Sequence, residues 1–103
     1  MSIQLPFDHK ALEGFCREHG IVELWFFGSV LRDDFRDDSD VDVLVSFTPD
    51  TRLSLFDLTK IEEEIGAILG RRVDLVERAD VERSENYIRR RHILANKERV
   101  YVA

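Results

Sequence analysis

Asp40 and Asp42 stand two residues apart at the start of an apolar run, and Asp74 sits between Val73 and Leu75 in another. On an extended strand, residues i and i+2 project from one face, roughly 6.6 Å apart at about 3.3 Å per residue. Carboxylates at that spacing can lean onto one Mg²⁺, or bridge two ions about 3.5–4 Å apart. Hard oxygen ligands suit Mg²⁺, which keeps some of its waters and takes substrate phosphates as further ligands. A third carboxylate from a neighbouring strand, Asp74, can complete the site or accept the proton of an attacking hydroxyl.

Gly28 and Ser29 supply the complementary half, ending one apolar run with ten residues between Ser29 and Asp40. A strand-to-helix junction exposes unpaired backbone N–H groups and the positive end of a helix dipole, and so binds phosphate. Gly28 lets a triphosphate approach the backbone without meeting a Cβ. The Ser29 hydroxyl donates one more hydrogen bond, and Arg32, one turn further on, reaches the same anion. Taken singly, each piece has a plainer reading: a Gly-Ser pair is a turn and cap, Asp-x-Asp a solvated strand edge, and Asp74 the polar face of an edge strand. Their combination in a strand-turn-helix-strand context is what points to a phosphate and metal site.

The remaining polar and aromatic signals are read as structural. Asp33, Asp34, Asp37 and Asp38 make a solvated loop. His9, His19 and His92 lack metal-ligand spacing and are surface or capping residues. Trp25, Phe26 and Phe27 belong to the core. Arg89–Arg91 form a solvated helix face, and Cys16 is a small buried hydrophobe rather than a reactive thiol.

The elements that must carry these residues follow from punctuation and periodicity. Asp8 caps a first helix bearing Ala11, Leu12, Phe15 and Cys16, and Gly20 stops it. Residues 21–27 and 41–47 are apolar runs of strand length. Ser29 to Phe35 is expected as a short helix, with Leu31 and Phe35 on one face. Ser54 and Asp57 form a capping box opening a long helix, whose stripe is Leu55, Leu58, Ile61, Ile65, Ile68 and Leu69. Gly70 ends that helix, residues 72–76 form a third strand, residues 86–95 a last helix, and residues 100–102 a short edge strand. The alternating order predicts an α/β or α+β layer of helices on a small sheet.

Bulk composition sets the frame. At 103 residues, 44% apolar with seven Phe, the chain is expected to be a single domain (1–103) with an adequate core. One cysteine excludes an intrachain disulfide and a cysteine-rich zinc site. No leader-like start and no run long enough to span a bilayer are visible, so a soluble, cytoplasmic, reducing setting is expected. The net charge of −6 argues against broad nucleic-acid binding. That charge is uneven: residues 1–78 hold nine basic and seventeen acidic side chains, residues 79–103 six and four. An acidic body with a basic tail suits a protein or nucleotide partner better than a duplex.

The segment "FFGSVLRDDFRDDSDVDVLVSF", residues 26–47, resembles the G-S-x₁₀-D-x-D signature of the polymerase-β-like nucleotidyltransferases. "LTKIEEEIGAILGRRVDLV" and "NYIRRRHILANKERVY" are similar to the minimal prokaryotic branch of that family. The resemblance implies a small mixed sheet covered by helices, and metal-dependent transfer of a nucleoside monophosphate to a hydroxyl with release of pyrophosphate. It implies that Asp40, Asp42 and Asp74 bind Mg²⁺ ions, that Asp74 also helps activate the acceptor oxygen, and that Gly28 and Ser29 hold the β- and γ-phosphates of ATP. Arg32 matches an arginine common after the Gly-Ser pair, whereas Asp33 stands where many relatives have glycine. Members of the minimal branch pair with an all-helical HEPN ribonuclease toxin and act as antitoxins by AMPylating one of its tyrosines. No additional domain for a base or polynucleotide is visible, so a docked protein is the expected acceptor. Two other readings stay open at this level: an antitoxin that only masks its partner, and transfer to a small molecule or an RNA end.

Overall fold

The computed structural model describes residues 5–32, 35, 36 and 38–103. Asp33, Asp34 and Asp37 lie outside the described residues, and with them most of the expected solvated loop and the Asp33-for-glycine difference.

Asp8 opens helix α1 (His9–Glu18), its carboxylate accepting from the Lys10 and Ala11 N–H groups. These are two of the donors that the first helical turn leaves without intrahelical partners. Gly20, at φ +72°, turns the chain into strand β1 (Ile21–Phe27). Strand β2 (Val41–Phe47) then leads to helix α2 (Leu55–Leu69), which begins at the complete Ser54–Asp57 capping box and ends at left-handed Gly70. Strand β3 (Val73–Glu77) runs directly into a short helix α3 (Arg78–Glu82), followed by α4 (Tyr87–Ala95) and β4 (Lys97–Val102).

The sheet order is β3-β2-β1-β4. Strand β1 is antiparallel to both β2 and β4, whereas β2 and β3 are parallel, with α2 as the crossover that parallel pairing requires. The result is the mixed, helix-covered α+β sheet expected from the element order.

Strand alternation divides the apolar residues between two faces. Leu24, Phe26, Val43 and Val45 pack on one side with Leu12 and Cys16 of α1 and Ile61, Ile65 and Leu69 of α2. Trp25, Phe27 and Leu44 face the other side, beneath Val81 of α3 and Ile93 of α4. Lys97 fastens the second layer, donating from Nζ to the Leu94 carbonyl at 2.7 Å.

Several expectations need correction. The helix expected over Ser29–Phe35 is a single 3₁₀ turn, Gly28–Leu31, after which Arg32 is already extended (φ −115°, ψ 159°). Leu31 and Phe35 both pack against the core although the helical turn ends at Leu31, so their four-residue spacing marked burial rather than a shared helix face. Leu55 is 81% exposed rather than part of the α2 core stripe, because it sits in the first turn, ahead of the Ile61–Leu69 stretch that meets the sheet. Helix α3 was not expected; five residues with one buried apolar side chain, Val81, give too short a period to read. Strand β4 is six residues long rather than three.

Candidate active site

Four strand ends meet at one end of the sheet. The register pairs Phe27 with both Asp42 and Lys97, and Asp42 with Asp74. Partners in register share a face, so Lys97, Phe27, Asp42 and Asp74 form one row across the four strands, on the α4 side of the sheet. Asp40 lies two residues before Asp42, on the exposed segment leading into β2. The sequence spacing alone placed Asp40 and Asp42 together; the parallel β2–β3 pairing is what brings Asp74 beside them.

The row faces a cleft of about 300 Å³ whose walls include Gly28, Ser29 and Arg32 on one side and Asp42 and Asp74 on its floor. Asp40 is not part of that lining. A smaller hollow of about 150 Å³ continues from it past Leu31 and Asn96. A larger hollow, about 480 Å³, opens at the far ends of β2 and β3 around Thr48 and Arg52, and holds none of the predicted site residues.

Gly28 is fitted to this cleft in two ways. Its φ of +78° is in the left-handed region that side chains disfavour. A Cβ added there would overlap Asp42 Oδ2 outright and lie 3.2 Å from its Cγ. The turn and the carboxylate are therefore built against each other. The adjoining 3₁₀ turn is only four residues long, so any anion held here meets local backbone N–H groups rather than the summed dipole of a long helix.

The electrostatics centre on Asp42. Burial pushes its carboxyl above the ordinary range, Asp74 and then Asp40 push it further, and Arg32 and Arg89 pull in the opposite direction. A half-buried carboxylate opposed by two like charges is a position that a divalent cation would relieve. The donor set thus has the chemistry for a hard cation. Among the described residues, however, no three His, Cys, Asp or Glu side chains have already converged as a ligand set. Asp42 and Asp74 share a face, and Asp74 and Asp40 each act on Asp42 as a like charge.

Two residues read from the sequence as structural belong to the cleft. Arg89 and His92 on α4 line it, and Arg89 acts electrostatically on Asp42. The usable signal was the stripe Arg89, His92, Ile93 and Asn96, spaced by three, one and three, which places them on one helix face with buried Ile93. The apolar pattern of α4 looked blurred because the side turned toward the site is polar. Trp25, Phe26 and Phe27 are buried core residues, as expected, and Cys16 is fully buried with its thiol pushed up to about 12 by burial and Glu13. No helix of the described residues is long and apolar enough to cross a membrane.

The chain is similar to the protein adenylyltransferase MntA of Thermococcus cleftensis, with 46% identity over 57 residues, covering 55% of this chain and 56% of that protein. It therefore spans little more than half the length of that relative. A solved structure described as a candidate minimal nucleotidyltransferase aligns with a TM-score of 0.66 at 31% identity, covering 87% of this chain and 86% of the other. An MNT antitoxin in complex with a tri-AMPylated HEPN toxin, from Shewanella oneidensis, shares the fold at 16% identity and a TM-score of 0.62, covering 92% of this chain and 70% of the other. The nucleotidyltransferase domain family matches residues 9–101, nearly the whole chain and every residue of the carboxylate row and the glycine turn, and this chain belongs to that family.

Proposed function

We propose that this protein transfers AMP from ATP to a tyrosine hydroxyl of a HEPN-type toxin partner, and so acts as its antitoxin. The observation that carries this reading is the row Asp42–Asp74 set against the Gly28 turn in one cleft. The names of its relatives, a protein adenylyltransferase and an antitoxin bound to an AMPylated HEPN toxin, support the partner and the transferred group.

In this reading, Gly28 and Ser29 take the β- and γ-phosphates, while Arg32 and Arg89 flank the chain of phosphates. Asp40, Asp42 and Asp74 would hold Mg²⁺, which when bound would neutralise phosphate charge. Asp74, on the sheet's edge strand, accepts the proton of the acceptor hydroxyl. The acceptor oxygen bonds to the α-phosphorus as the α–β anhydride bond breaks, and pyrophosphate leaves from the Gly28 side. Charge on the pyrophosphate develops toward Ser29, Arg32 and Arg89, which stabilise the departing group.

The test is transfer of label from α-³²P-ATP in the presence of Mg²⁺ to a co-purified partner, with Asp40→Asn/Asp42→Asn as control. Label on a partner tyrosine that vanishes in the control is the expected result. A partner that is neutralised without being labelled would favour masking by binding alone. Label on an RNA end or a small molecule, with none on protein, would move the acceptor class.

A further inference from the structure

Asp40 is the carboxylate whose position the sheet does not fix. Asp42 and Asp74 are paired in register, whereas Asp40 precedes β2 and stands outside the cleft lining. What reaches its segment is Arg71. The Arg71 guanidinium donates from Nη2 to the Ser39 carbonyl at 2.7 Å, and also to the Arg36 carbonyl. The same group lies over the Phe35 ring, 4.4 Å from its centroid, and Phe35 packs against the core.

The other end of Arg71 is anchored to the body of the protein. Its N–H donates to the Gly66 carbonyl of α2 at 3.1 Å, and a Cβ at Gly66 would come within 2.8 Å of the Arg71 carbonyl oxygen. The Arg72 carbonyl then accepts from the Val41 N–H at 2.9 Å. Arg71, by its backbone at one end and its guanidinium at the other, therefore joins the end of α2 and the start of β3, which bears Asp74, to the residues just before Asp40. An arginine suits this task, because a planar fork of donors can serve two carbonyls while stacking on a ring. A lysine ammonium is a point charge and cannot also stack as a plane.

We propose that Arg71 is a positioning residue: it holds Asp40 at the edge of the Asp42–Asp74 row and thereby sets the divalent-cation affinity of the site. This rests on the reading that the three carboxylates bind the ion. Cutting the side-chain link leaves Val41, Asp42 and Asp74 where strand pairing puts them, so the cleft persists, while the Arg36–Ser39 side of Asp40 loses its hold.

The experiment measures Mn²⁺ binding to the whole protein by the loss of the free-ion electron paramagnetic resonance signal, together with amide exchange at residues 39–41. Arg71→Ala should weaken Mn²⁺ binding by about tenfold, the scale seen when the support of a metal ligand is removed. It should also speed exchange at Ser39 and Asp40, and leave metal-free binding of a fluorescent ATP analogue unchanged. Arg71→Lys should fall between Arg71→Ala and the unmodified protein. Arg71→Ala that binds Mn²⁺ normally, while Asp40→Asn is weakened, overturns the role of Arg71 alone. Joint loss of Mn²⁺ and metal-free nucleotide binding would make Arg71 a general structural support and also overturn it. Unmodified protein without Mn²⁺ affinity overturns the carboxylate reading itself, and the role of Arg71 with it.

Discussion

Replacing Gly28 with alanine tests whether the turn and the carboxylate row are built around each other, and the structure contains its own control. Gly28 and Gly70 both have positive φ, +78° and +68°. A Cβ at either carries left-handed strain of about 1–2 kcal/mol. Their surroundings differ: nothing lies within 4 Å of a Cβ at Gly70, whereas at Gly28 it overlaps the Asp42 carboxylate. Gly70→Ala should therefore report strain alone, lowering Tm by roughly 4–8 °C per kcal/mol for a domain of this size and leaving AMP transfer intact. Gly28→Ala adds an overpacking cost of about 1–3 kcal/mol, relieved only if Asp42 turns away. A displacement on the order of 1 Å at such a carboxylate should slow transfer about a hundredfold. Urea denaturation and labelled AMP transfer, run on both variants, read the two effects separately. In a Gly28→Ala/Asp42→Ala protein the stability loss due to Gly28→Ala should shrink to that of Gly70→Ala. Equal losses with and without the Asp42 carboxylate, or near-normal transfer by Gly28→Ala, would refute the reasoning.

Other outcomes follow from the same site and core. Because the folded Asp42 carboxyl is raised above its ordinary value, the folded state holds a proton that the unfolded chain has lost. Its contribution is favourable at low pH and disappears as pH rises through the raised value, so Asp42→Asn should stabilise the metal-free protein at neutral pH while abolishing transfer. Melting curves across pH, recorded in a chelator, check the sign. Arg89→Ala removes a cation from the cleft and should weaken ATP binding by roughly tenfold, about 1.4 kcal/mol, in a direct titration, with little change in Tm. Cys16, with its thiol pushed up to about 12, should resist a thiol reagent in the native state and react promptly in denaturant. Rapid native labelling would show that α1 opens more readily than its packing implies.

The distribution of what was legible follows from the range of the forces involved. Local chemistry was readable: the Asp8 cap, the Ser54–Asp57 box and the Gly70 stop are interactions among near neighbours, and the apolar runs gave β1 and β2 their bounds. The Gly28-Ser29 and Asp40-x-Asp42 pairs were equally visible, because both are spacings between near neighbours. The 3₁₀ turn was misread as a longer helix, since Leu31 and Phe35 are buried by the core they meet and not by a shared helical face.

What only the tertiary structure decided is everything that depends on pairing between distant segments. Nothing in the residues around Asp74 specifies that β3 lies parallel to β2 with Asp74 opposite Asp42. Nor does the run Arg89–Arg91 reveal which of its members turns toward the cleft; the packing of Ile93 on the sheet selects Arg89 and His92. Arg71 shows the same limit, since its partners at Arg36 and Ser39 lie more than thirty residues away. The sequence by itself singled out the groups proposed to bind phosphate and a cation. Strand register and helix docking, set by burial of the two apolar faces, decided which of those groups stand together.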